Sequence, residues 1–159
     1  QFATTNDVFL VKKSLEALGE IGVSSSYTVL VNAAKKSGYT FDESEAVLAF
    51  IQYGKSTQNK GNITTSNLVG KALMKNCKKA NQLHFRSAGV EILNSNKGIS
   101  FTKTLIKEMD NSDKDYRGTI IDIAIDNLTD ENIRNATSFI RNFSPEPGLS
   151  LEIGLRWDW

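Results

Sequence analysis

Apolar residues recur at helical spacing along most of the chain. Val8, Val11, Leu15, Leu18 and Ile21 lie three or four positions apart, so a 3.6-residue turn puts them on one face. That pattern predicts a helix over residues 7–20, capped by Thr5 or Asn6 and stopped at Gly22. Ser25 or Ser26 caps a second helix over 27–37, with Val29, Leu30, Ala33 and Ala34 on its apolar face. Gly38 follows where a left-handed stop is expected. A third helix opens at Asp42, with Glu43 and Glu45 in the first turn, where the helix dipole favours acids. It carries Ala46, Val47, Ala49, Phe50 and Tyr53, and Gly54 reads as its stop. The polar stretch 55–61 then reads as a loop.

Thr64 or Thr65 caps a fourth helix that runs to about Lys79 through Leu68, Val69, Ala72, Leu73 and Met74. The fifth spans 83–93 and is broken by the polar run 94–98. The sixth covers 101–109, a turn follows at 110–113, and the seventh covers 115–127. Thr129 caps an eighth over 130–142, and Pro145 and Pro147 close the helical region. Residues 149–159 alternate apolar and polar, which is a strand period. The expected division is a helical region over 1–147 and an extended tail over 148–159.

The helices repeat one another. Setting Leu18 against Phe50, Leu93 and Ala124 aligns Leu15 with Val47, Val90 and Ile121. It also aligns Ser14 with Ala46, Gly89 and Ile120, and Ala17 with Ala49, Ile92 and Ile123. Glu16 meets Glu91 and Asp122, with Leu48 in the second unit, and Val11 meets Glu43, Arg86 and Arg117. Each aligned helix is followed by a second amphipathic one, so the unit is a helix pair of about 32–43 residues, in the range of stacked helical repeats. Small residues such as Ser14 and Ala17 form the expected seam along which neighbours approach.

The segment 15–22, Leu-Glu-Ala-Leu-Gly-Glu-Ile-Gly, resembles one end of the HEAT-repeat motif. Phe85-Arg86-Ser87-Ala88-Gly89-Val90-Glu91-Ile92-Leu93 and Tyr116-Arg117 resemble its arginine end. The likeness covers about residues 7–143. It implies an all-α, short right-handed α-solenoid of about four helix pairs, HEAT/armadillo-like, with an extended or β-like C-terminal tail. It further implies a non-enzymatic scaffold or adaptor that binds another protein on the concave face. The binding candidates so implied are the exposed positions Lys12, Lys13, Glu16, Gln52, Arg86, Glu91 and Asp122. For Arg86 and Arg117 a structural bridge between neighbouring units is the favoured reading.

Charge narrows the alternatives. The net charge of +1 supplies no global field toward nucleic acid or an anionic membrane. Lys71, Lys75, Lys78 and Lys79 nonetheless form one basic helix stripe, with Lys35 and Lys36 expected nearby. A nucleic-acid-binding repeat protein would use that stripe. A solvated face is the simpler account, since aromatic residues are not interleaved with it. A HEAT-like lyase or enzyme accessory subunit is a second alternative, with His84, Tyr116 and scattered acids as its only material.

Little else points to chemistry. One cysteine, Cys77, and one histidine, His84, leave no material for a disulfide, a thiolate metal cage or a Ser-His-Asp triad. Lys75, Lys78 and Lys79 would lower the thiol's pKa if they faced it, although a small buried hydrophobe is the plainer reading of Cys77. Asp110-Asn111-Ser112-Asp113 is oxygen-rich but lacks the spacing of an EF-hand loop. The expectation is no catalytic residue, no metal and no cofactor. No apolar run approaches the ~20 residues of a membrane helix. The Gln1 start and the barrel-like ending Glu152-x-Gly154-x-x-Trp157-x-Trp159 point to an exported bacterial protein, with a trimmed cytosolic chain as the alternative. Trp157 and Trp159 are the expected anchors of the tail.

Overall fold

The computed structural model of the protein describes residues 7–125, and the structural statements that follow concern those residues. Helices α1 (Val8–Ile21), α2 (Tyr27–Lys36), α3 (Ala46–Asn59), α4 (Ile63–Lys79), α5 (Leu83–Lys97) and α6 (Thr102–Met109) are followed by α7 over 114–125. No strand occurs among the described residues, so the described region is all-α. The eighth helix, the tail with Trp157 and Trp159, and the 147/148 boundary lie outside the described residues.

Several ends differ from the sequence expectation. Asp7, not Thr5 or Asn6, caps α1 by accepting from the Leu10 amide at 3.1 Å. Asn62, not a threonine, caps α4 by accepting from the Thr65 amide at 3.2 Å. Asp113 caps α7 by accepting from the Tyr116 amide at 2.8 Å. Residues 42–45 form a turn rather than a helical first turn, and Glu45 precedes α3 in the left-handed region at φ 50°. Gly22 does stop α1, at φ 58°, as expected of a residue free of Cβ strain.

Two expected breaks are continuous helix. Gly54 lies inside α3, which runs on through the polar stretch to Asn59. A Cβ at Gly54 would come within 2.8 Å of both Ile92 and Val69, so the missing side chain serves packing, not termination. Likewise α5 continues through Asn94, Ser95 and Asn96 to Lys97. Asn94 is buried there, and its amide donates to the Ile123 carbonyl of α7 at 3.2 Å.

Helix α3 is the hub and packs against α1, α2, α4 and α5. The most extensive contact is between α4 and α5. It is made possible by Gly70 facing Gly89, where an added Cβ on either would sit within 3.1 Å of the other's carbonyl oxygen. The main core gathers Leu15, Leu30, Phe50, Tyr53, Val69 and Leu73. Each large aliphatic or aromatic side chain fully buried in this way contributes about 1.5–3 kcal/mol. A second core joins Val90 and Leu93 of α5 to Phe101, Leu105, Tyr116 and Ile120.

Burial follows the aligned columns in α3 and α5 and departs from them in parts of α1 and α7. Val47 and Val90 are buried with Leu15, and Ala46, Gly89 and Ile120 are buried in the column of Ser14. Glu16, Leu48, Glu91 and Asp122 are all exposed. Helices α3 and α5 share this pattern most fully; in α7 Ile121, aligned with Leu15, is 45% exposed. The seam itself is corrected: Ala17 is exposed, and the close approach of α1 to α3 occurs at Gly19, where a Cβ would lie 2.6 Å from the Ala49 carbonyl oxygen.

Candidate functional site

The outward face of α1 and α3 holds an open groove of about 360 Å³. Lys12, Glu16 and Glu20 of α1 line one side, and Glu45, Leu48, Gln52 and Lys55 line the other. Leu48, 41% exposed, and the half-buried Ile51 supply its apolar surface. Lys55 also borders a smaller depression with Glu91, so the row continues onto α5. The structure thus brings together Lys12, Glu16, Gln52 and Glu91, and places Lys13 beside them.

Most charges in this row are paired across neighbouring helices. Lys12 donates to Glu45 at 2.5 Å, and Lys55 donates to Glu91 at 2.9 Å. Lys13 pairs with Glu16 at 2.7 Å within α1, and that hydrogen bond holds the Glu16 carboxyl below and the Lys13 ammonium above their ordinary values. Exposed pairs of this kind contribute at most about 1 kcal/mol each, so their effect is to set helix register and surface pattern more than stability. Asp122 is exposed on α7 and borders neither depression. Sequence reasoning missed Glu45, Leu48 and Lys55. Leu48 carried a legible signal, an apolar residue at the one column otherwise occupied by acids.

Arg86 does not belong to this surface. It was expected among exposed candidates, yet it is 6% exposed and sits between α4, α6 and α7. Its Nε donates to Glu108 Oε2 at 2.8 Å and its second terminal nitrogen to Glu108 Oε1 at 2.6 Å, a bidentate geometry. The first terminal nitrogen donates to the Met74 carbonyl. The Tyr116 hydroxyl donates to Glu108 at 2.6 Å. Burial pushes the Glu108 carboxyl up, but the hydrogen bonds from Arg86 and Tyr116 outweigh it and leave the carboxyl below its ordinary range. Burial and the Glu108 carboxylate push the Tyr116 hydroxyl well above the usual tyrosine range. The cluster is therefore a clasp that ties the short helix α6 to its neighbours.

The remaining candidates are dispersed. Lys71, Lys75, Lys78 and Lys79 are exposed along α4, and Lys35 and Lys36 are exposed at the end of α2. His84 is exposed with its ring 4.0 Å from that of Phe85, while Tyr116 is committed to the clasp, so the two do not share a site. Cys77 is fully buried, and burial pushes its thiol up to about 11, opposite to what the neighbouring lysines in sequence suggested. Among the described residues, no group of His, Cys, Asp and Glu is placed to hold a metal ion, and no helix is long and apolar enough to cross a membrane. Comparison with known family models, curated proteins and solved structures finds no match to this chain.

Proposed function

We propose that the chain is a non-enzymatic adaptor that binds another protein along the outward face of α1, α3, α5 and α7. The observation that carries this reading is the row Glu16, Leu48, Glu91 and Asp122, four aligned positions that all stay exposed, with both flanking positions buried in α3 and α5. A repeated fold that presents the same column on successive helices offers an extended surface, which suits a protein segment better than a small substrate. The groove beside Leu48 adds an apolar anchor within a charged rim, the composition expected at the centre of an interface. The arrangement of helix pairs as a short right-handed, HEAT-like solenoid is part of the same proposal. The contacts of α1 with α3 and of α3 with α5 support it.

The test is affinity capture from native extract with the full chain carrying Leu48→Arg, Gln52→Arg or Thr28→Arg. Thr28 is exposed on α2, away from the groove. The adaptor reading expects a specific protein to be retained by the Thr28 variant and lost with the two groove variants. Equal recovery by all three contradicts it.

A further inference from the structure

A second surface lies on α4 and α5, and its chemistry differs from that of the first. Lys71, Met74, Lys75, Lys78 and Lys79 of α4 line an open groove with Arg86 and Leu93 of α5. The half-buried Met74 forms its floor, with the edge of Leu93 beneath. No acidic side chain among the described residues lines it, although the buried Glu108 carboxylate lies near enough to be stabilised by Lys78.

The lysines of α4 are not explained by the fold alone. Lys78 and Lys79 stand in the last turn, where the helix dipole favours cations. Lys71 and Lys75 stand further in. Lys71–Lys75 and Lys75–Lys79 are like-charge pairs four residues apart, an arrangement that destabilises the helix carrying it. The sequence of α4 contains no aspartate or glutamate to relieve the repulsion. None of the four lysines forms a salt bridge among the described residues.

We infer that this groove docks an acidic amphipathic helix of a partner protein. Charge complementarity carries the choice: cations on successive turns over about 12 Å match carboxylates spaced three and four residues apart on a facing helix. The aliphatic and thioether floor takes leucine-like side chains between those acids. Nucleic acid fits less well, because no aromatic side chain among the described residues lines the groove to stack on bases.

The experiment uses the full chain with 13C-methyl-labelled methionine. Met74 and Met109 are its only two methionines, so the spectrum has two methyl signals. The probe is a 16-residue synthetic peptide with glutamates at three- and four-residue spacing and leucines on the adjoining face. The inference expects saturable binding that shifts the Met74 methyl and leaves Met109 in place. It expects the Lys71→Glu/Lys75→Glu variant, unchanged in circular dichroism, to bind at least about tenfold more weakly. Absence of binding, an unmoved Met74 signal, or equal affinity of the variant overturns it. So does tighter binding of a 16-nucleotide single strand, or of anionic vesicles, than of the peptide.

Discussion

Replacing Arg86 by methionine keeps much of the side chain's volume and removes its charge. The variant leaves Glu108, with its side chain 10% exposed, facing the Tyr116 hydroxyl without its bidentate partner. Removing one member of a buried ion pair costs about 3–5 kcal/mol. Glu108 can relieve part of that by taking up a proton. Neutralising a carboxyl of ordinary pKa at pH 7 costs about 4 kcal/mol, at 1.36 kcal/mol per pH unit. The expected deficit for Arg86→Met is therefore about 3–4 kcal/mol at pH 7, or a melting temperature lower by roughly 10 °C. The pH dependence has a defined sign. In the parent chain Glu108 titrates below its ordinary value, so its contribution is complete above the unfolded carboxyl's pKa and is lost as pH falls through the folded one. In Arg86→Met the buried carboxyl is raised instead, so the deficit shrinks as pH falls from 7 toward 5. The double variant Arg86→Met/Glu108→Leu leaves no buried charge and should recover to within about 2 kcal/mol of the parent. Urea unfolding followed by circular dichroism at several pH values measures all three. A deficit under about 1 kcal/mol for Arg86→Met, or a double variant no better than the single, would refute the assignment of the clasp.

Other expectations are simpler to check. Gly70→Ala places a Cβ 2.7 Å from Leu93 and 3.1 Å from the Gly89 carbonyl, so it should destabilise by about 1–2 kcal/mol in thermal unfolding despite its better helix propensity. Gly118→Ala meets nothing within 4 Å among the described residues and should be neutral or stabilising by up to about 1 kcal/mol. Cys77 should react with a disulfide reagent only as the protein unfolds, with labelling and unfolding rates rising together in Arg86→Met; rapid native labelling would contradict its burial. Breaking the exposed Lys55–Glu91 pair with Lys55→Ala should change stability by less than about 1 kcal/mol, as read by urea unfolding.

The order of the helices was legible because their apolar residues follow a 3.6 period with polar turns between them. The aligned columns were legible for the same reason, and burial follows most of them. The breaks at Gly54 and at 94–98 were misread because glycine and asparagine punctuate a single sequence, whereas their actual roles depend on distant partners. Gly54 exists for Ile92 and Val69, and Asn94 for Ile123. Arg86 was read both as an exposed binding candidate and as a bridge between helices, and the structure shows a buried bridge. Gly89, Val90 and Leu93 lie three, four and seven positions after it, so the arginine stands in the apolar stripe. Glu108 stands similarly behind Phe101 and Leu105. What the sequence could not supply is that these two residues, 22 apart, meet. The inter-helix pairs Lys12–Glu45 and Lys55–Glu91 were hidden likewise, since surface charges carry no mark of their partner.

The central claim is that the row along α1, α3, α5 and α7 holds a protein. A photo-crosslinking residue placed at Leu48 of the full chain in its native host tests it most directly, with the same residue at Thr28 as reference. The adaptor reading predicts one dominant protein adduct from position 48, suppressed by Gln52→Arg and missing from position 28. Indistinguishable adduct patterns from the two positions, or an adduct at 48 indifferent to Gln52→Arg, would contradict it.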